Sequence, residues 1–348
     1  MTDRDRDVLT LDQQAEADNG STGDDERGRA ASSPSDIPAK GWKDVVLRVK
    51  DEVKDDHTVL SAAGVAFFGF LALIPALAAL VSILGLITSP DEAAARTDDL
   101  FGGLPQEARD LLSEQLDSLA QQSSSSLTIA LVSSVALALW SASSGMSHLI
   151  EGINVAYDED DDRNFFVKKG LSLALTIGAI VFVVAAAIGL AALPSILDSL
   201  GTPDWLSWII RIAFWPVLAL GFTAGLSILY RTAPDRSDPR WQWVTWGSAI
   251  ALVLWIAASI GFRIYTSTFG SYNESYGSLA AVVILLMWLF ITSFVILLGA
   301  QFNAELERQT VVDTTEGGDQ PIGSRDAVAA DTLPDDHVAA SDDDSDRR

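Results

Sequence analysis

The sequence predicts an all-α fold: a polytopic membrane helix bundle with six transmembrane helices, cytoplasmic N- and C-termini, and disordered acidic tails. Three observations predict it. First, six apolar stretches, at residues 60–88, 127–149, 168–193, 206–230, 243–265 and 278–304, each reach the ~20 residues a helix needs to cross the hydrocarbon core. Second, within residues 40–308, twelve basic residues lie before the first stretch or around the ends that follow the second, fourth and sixth, whereas the alternate loops hold only Arg96 and Arg109. Lys and Arg in short loops stay on the cytoplasmic side, which places both ends of the chain there. Third, residues 1–39 carry ten acids against four bases and residues 309–348 eleven against three, with almost no aromatics. Such segments cannot bury enough apolar surface to offset the entropy of ordering. That leaves one membrane domain, 59–308, entered through an interfacial amphipathic segment at 40–58.

Composition closes several functional classes. A net charge of -24 over 348 residues opposes binding to nucleic acid, a polyanion. Six Lys against seventeen Arg, with abundant Asp, is a halophilic-type acidic composition, suited to a cytoplasm where the Debye length falls to about 3 Å. With no cysteine, disulfides, thiolate metal sites and cysteine nucleophiles are excluded.

Trp42, Val45, Val46, Val49 and Val53 recur at helical spacing, with Lys43, Lys50 and Lys54 between them. The pattern fits an amphipathic helix lying on the cytoplasmic interface, or a cytoplasmic extension of the first span. Pro75 in the first span and Pro216 in the fourth each remove a backbone hydrogen bond and predict a kink. Were spans one to three and four to six inverted copies, these prolines would correspond and mark a binding site. No residue-level self-similarity supports the repeat, and two independent packing kinks are the simpler account. After the first span, Pro105 opens an amphipathic pattern through Ala108, Leu111, Leu112, Leu116 and Leu119, a helix to cap the outer mouth or contact a partner. In the fourth span Gly221 and Gly225 form a GxxxG, a weak signal for close helix contact. A proline-stiffened turn from Arg231 to Arg240 follows it, and then Trp241, Trp243 and Trp246, placed as interfacial anchors.

The three histidines, His57, His148 and His337, are far apart, and no HExxH, GxSxG, phosphate loop or dinucleotide fingerprint is present. No catalytic residue, metal or cofactor is therefore predicted. The candidates are polar residues at membrane depth, where burial without a role is costly. Arg211 and Arg263 sit inside the outer ends of the fourth and fifth spans; they either snorkel to the surface or pair with acids or an anionic headgroup. Ser144, His148 and Glu151 are spaced four and three apart in the second span, with Asn154 following. That face lines a cavity or bonds to neighbouring helices. Gln301, Asn303, Glu305 and Glu307 emerge from the sixth span at the level of Glu151 and Arg231, which predicts one inner polar cluster.

Four segments carry a resemblance: AGVAFFGFLALIPALAALVSILG at 63–85, LWSASSGMSHLIEGINVAY at 139–157, the turn from Tyr230 to Pro234, and FGSYNESYGSLAAVVILLMWLF leading into LLGAQFNAELER. Together they resemble the YihY family, also called BrkB and often labelled ribonuclease BN, over about residues 42–308. The resemblance implies an inner-membrane protein with six helices and cytoplasmic ends, of unsettled activity, linked in some members to envelope or lipid transport. Its matching residues here are Ser144, Gly145, Asn154, Arg231, Pro234, Phe269, Gly270, Tyr272, Tyr276, Gly277, Ser278, Asn303, Ala304 and Glu305. Where members usually show an acid before the asparagine motif, this chain has Gln301.

The expected function is a non-enzymatic transporter or translocase of an amphipathic or lipid-like substrate in the plasma membrane. The alternative is a membrane scaffold or envelope assembly factor acting through the outer helix and last loop. Ribonuclease activity is disfavoured, since phosphate chemistry on a polyanion wants cations and the sequence offers no basic groove. Expected partners are membrane lipids, then an envelope protein or a second copy of the chain, and no nucleic acid.

Overall fold

Long runs of apolar residues with few Gly or Pro satisfy their own backbone polar groups only by coiling, which is why the chain is built from helices. The computed structural model describes residues 26–87, 124–268 and 278–334. Among them run α1 (Ala39–Asp55), α2 (Thr58–Ile87), α3 (Ser124–Ala156), α4 (Phe165–Ser199), α5 (Asp204–Thr232), α6 (Trp241–Thr268), α7 (Ser278–Arg308) and the short α8 (Val328–Asp331). A 3-10 turn at Pro34–Asp36 and one isolated antiparallel bridge, Pro239 to Thr315, complete the described backbone. Among the described residues, four helices contain a stretch long and apolar enough to span a bilayer: Phe165–Leu190, Asp204–Thr232, Trp241–Thr266 and Val282–Arg308.

The last long helix is the hub. α7 packs against α2, α6, α1, α3 and α8, while α2 pairs most extensively with α3, and α4 and α5 close the remaining side. At the α6–α7 crossing the backbones nearly touch: a Cβ on Gly247 would lie 2.3 Å from the Gly299 carbonyl oxygen, and one on Gly299 would lie 2.4 Å from the Tyr230 hydroxyl. Only glycine permits that approach. The GxxxG of α5 behaves differently, because Gly221 receives the Phe182 ring of α4 but Gly225 faces open space.

Burial is concentrated at one end, with only isolated residues such as Ser134, Leu197 and Ser207 buried toward the other among the described residues. Leu149, Ile153, Tyr157, Leu226, Tyr230, Val244, Leu297 and Ala304 form a single core where α3 and α5 end, α6 begins and α7 ends. Toward the other end Val183 of α4, Leu220 of α5 and Ile260 of α6 are all more than half exposed. Pro75 and Pro216 lie inside unbroken helical assignments.

Three expectations need correction. The apolar stripe of α1 lies against protein rather than the bilayer interface, with Val45 and Val49 buried beside Trp243 and Leu306. Nor does α1 extend the first span, since His57 takes a left-handed φ of 51° between the two helices. Trp243 is a core residue rather than an anchor, 1% exposed, whereas Trp241 and Trp246 are exposed.

The third difference concerns the tails. Residues 26–38 and 309–334, assigned by composition to disorder, are seated on the bundle. The backbone N–H of Val311 donates to the Arg29 carbonyl, that of Arg240 to Thr314 and that of Ser237 to Asp326. Thr314, Ala329 and Arg325 are buried. The composition argument missed this because the strap orders through hydrogen bonds to loops of the bundle, not through an apolar core of its own. Residues 1–25 and 335–348 lie outside the described residues.

Candidate functional site

The final turns of α7 carry Gln301, Asn303, Glu305, Glu307 and Arg308, all buried. Charges there are tolerable only if each meets a partner, because desolvating an unpaired ion costs several kcal/mol. Every one of the charges is met. Glu307 receives Arg236 of the α5–α6 turn in a two-pronged contact at 2.7 and 3.2 Å, and the Thr314 hydroxyl of the C-terminal strap donates to it at 2.7 Å. Both charged side chains of that pair are 0% exposed. Burial works against the Arg236 charge, but the Glu307 carboxylate outweighs it and holds the guanidinium charged above its ordinary range. Its guanidinium also lies 5.1 Å from the Tyr157 ring centroid.

Glu305 is held from two sides, by Arg48 of α1 and by Arg308, which also reaches Asp158 after α3. Arg48 adds bonds to the Glu305 carbonyl at 3.1 Å and to Gln309 at 2.7 Å. Asn303 reaches into α6, where its Oδ1 accepts from the Gly247 N–H at 2.7 Å; a side chain at 247 would occupy that space. Asn154 ties α3 to the α5–α6 turn by accepting from the Asp235 N–H at 2.8 Å. Arg163 donates to the Ala233 carbonyl at 2.6 Å and to Asp161 at 2.8 Å. Arg231 bridges Glu316 of the strap and Asp238, with its guanidinium 4.7 Å from the Trp241 ring centroid.

One acid in this network is under tension. Gln301 Nε2 donates to Asp56, just before α2, while Gln301 Oε1 is buried with no hydrogen-bond partner. Burial, with Asp158 and Glu52 nearby, pushes the Asp56 carboxyl up to about 7 against the pull of Gln301 and Arg308. A protonated Asp56 has the O–H that the orphaned amide oxygen lacks. The neutral Gln301 of α7 thus faces a titratable group in the turn between α1 and α2.

Of the residues chosen from sequence, Asn154, Arg231, Gln301, Asn303 and Glu305 are thus gathered at one end. The other candidates are not. Ser144 donates to the Trp140 carbonyl of its own helix at 2.9 Å. His148 stacks on Phe68 at 4.7 Å and contacts Glu151 at 3.0 Å, with the Glu151 side chain 67% exposed. Arg211 and Arg263 are exposed. Tyr272, Tyr276 and the amphipathic stretch from Pro105 lie outside the described residues. Sequence reasoning missed Arg48, Asp56, Asp158, Arg163, Arg236 and Arg308. Arg48, Arg163 and Arg236 are among the basic residues that mark topology, although two acids two residues apart at the end of α7, Glu305 and Glu307, already demand cations. Among the described residues no group of three or more His, Asp or Glu gathers to hold a metal.

Comparison with known proteins assigns the lineage. The family profile for virulence factor BrkB matches residues 49–322. The chain belongs to the BrkB family. Among its relatives, a putative ribonuclease-like protein YfkH of Bacillus subtilis is 29% identical over 71% of this chain and 90% of its own length. A UPF0761 membrane protein of Idiomarina loihiensis is 24% identical over 72% of this chain and 87% of its own. A UPF0761 membrane protein of Tolumonas auensis reaches 38%, over 29% of this chain and 32% of its own length. No solved structure matches the chain. The BrkB match ends at 322, so it takes in α7 and about half of the C-terminal segment 309–334 seated on the bundle.

Proposed function

We propose that this chain is a non-enzymatic transporter or translocase of an amphipathic or lipid-like molecule in the cell membrane. In this reading α2 to α7 are six spans and both termini are cytoplasmic, as the basic residues clustered at the terminus-bearing end favour. The observation that carries it is the unequal packing of the bundle: a core and an ion-paired network at one end, exposed apolar faces on α4, α5 and α6 toward the other. A carrier halted in one state has that form. An amphipath enters sideways between loosely packed helices and is stopped by the locked end, whose Arg236–Glu307 and Arg48–Glu305 contacts must part for release.

Two measurements test this reading. Purified chain reconstituted into vesicles should move a fluorescent phospholipid analogue between leaflets faster than protein-free vesicles do, and E307Q should alter that rate. Equal rates with and without protein would sink the proposal. The chain has no cysteine, so a single cysteine placed in either terminal segment reports sidedness directly. Labelling from the outside of intact cells would overturn the topology.

A further inference from the structure

Lys169, in the first turn of α4, points the wrong way. Lysines near helix ends in membranes extend toward the headgroups of the nearer interface. Here α3 and α4 run antiparallel, and the Ser147 and Ser172 hydroxyls meet at 2.9 Å, which fixes a common level on the two helices. Lys169 lies on the terminus side of that level. Ser143 lies one turn beyond it, toward the bundle's other end. Yet Lys169 Nζ donates to Ser143 Oγ at 2.5 Å and sits 4.5 Å from the Trp140 ring centroid, another three residues along. The ammonium is carried inward, past the serine pair.

No carboxylate lies within ion-pair distance of it among the described residues. Glu151 of α3 is engaged by His148, and Asp161 by Arg163 and Lys168. Lys168 differs from its neighbour in this respect, since its ammonium donates to the Asp161 carbonyl at 2.6 Å, toward the α3–α4 loop. Trp140 is 63% exposed and Phe166 84% exposed, and they flank Lys169 on either side along the helices. An ammonium with no carboxylate partner among the described residues, and exposed aromatic surface above and below it, together describe one ligand chemistry.

We propose that the exposed α3–α4 face binds an anionic phospholipid, with its phosphate on the Lys169 ammonium, which the buried Ser143 hydroxyl holds in place, and its apolar body against Trp140 and Phe166. This deepens the transport reading by naming a substrate-class headgroup, and it rests on the membrane placement of α3 and α4. Charge-assisted hydrogen bonds of this kind contribute enough that losing one changes affinity by about tenfold.

The test uses the full chain in detergent, with phosphatidylglycerol and phosphatidylcholine added separately and bound lipid counted by native mass spectrometry. Wild type and K168Q should prefer phosphatidylglycerol, K169R should keep that preference, and K169Q should lose about tenfold of it. Unchanged selectivity in K169Q overturns the site, as does an equal loss in K168Q, which would signal diffuse surface charge. Circular dichroism of K169Q checks that the helices remain. Because binding is read without flux, the two proposals fail separately. Flux with unselective binding rejects this site alone, whereas selective binding with no flux rejects the transport reading alone.

Discussion

On α7, Glu305 and Glu307 are fully buried near the C-terminal end, while Val282 and Val283 stand exposed at the other. The charged end of the helix is inside and the apolar end is outside, the inverse of a water-soluble protein. What decides burial here is the number of elements that converge, not hydrophobicity. At the locked end α1, α3, α5, α6, the strap and both loops deliver arginines and backbone donors to one helix. At the open end the helices face a solvent that is itself apolar, so exposure of Val and Leu carries no penalty. Close packing is therefore concentrated where the ions meet.

The sharpest way to break this contrast is to leave one ion unpaired. R236L or E307L should each lower stability by about 3 to 5 kcal/mol, because each strands a buried charge. The double variant R236L/E307L should recover most of that loss. Thermal unfolding in detergent measures it, and a double variant as unstable as the two singles combined would mean that the two residues are not energetically coupled, against the pairing. Next in size is the α6–α7 crossing. G299A forces a Cβ to within 2.4 Å of Tyr230 Oη and should cost about 1 to 3 kcal/mol through overpacking. G225A, where nothing lies within 4 Å, should be neutral or slightly stabilising through helix propensity.

The open end was the more legible of the two in sequence. Apolar length alone marks its helices: among the described residues six long helices overlap the six stretches read from hydropathy, and four of them hold a stretch long and apolar enough to span a bilayer. The locked end was legible only in part. Asn303, Glu305 and Gln301 were visible because polar residues at the mouth of an apolar run stand out. Their partners did not: Arg236 sits 71 residues from Glu307 and Arg48 lies 257 from Glu305, and no local period encodes such pairings. The strap escaped for a related reason, since Thr314 and Asp326 are ordered by backbone bonds to a loop more than seventy residues away. Ser144 and His148 were over-read, because hydroxyls and imidazoles on a helix can be satisfied by their own backbone or by a ring.

A smaller effect distinguishes the two ends by pH. Asp56 has a folded-state value of about 7 against an ordinary aspartate near 3.9. Between those values the folded protein keeps a proton that the unfolded chain has released, so stability is fully present below about pH 4 and falls as the pH rises toward 7. D56N removes the titrating group and keeps a donor for the Gln301 oxygen. After discounting for solvent screening at this partly exposed position, it should stabilise the protein by on the order of 1 to 2 kcal/mol at pH 8, and much less at pH 5. The difference in melting temperature between D56N and wild type should therefore grow with pH; a difference that is flat from pH 5 to 8 counts against the raised value.

The smallest expected effect is the one that isolates the open end. Val183 on α4 is 62% exposed, and truncating it removes apolar surface without opening a cavity. In a water-soluble protein V183A would be read as a surface change; in lipid the lost contacts are replaced by acyl chains, so the cost in stability should stay within about 0.5 kcal/mol. The same truncation at Val295, 6% exposed on the same side of the bundle as the ion network, should cost about 1 to 3 kcal/mol, since neighbouring helices cannot flow into the space. Melting the two variants side by side in one detergent tests the contrast with the chemistry of the substitution held constant. Equal losses would mean that α4 packs against protein at Val183, and the lipid-facing assignment of that half of the bundle would have to be withdrawn.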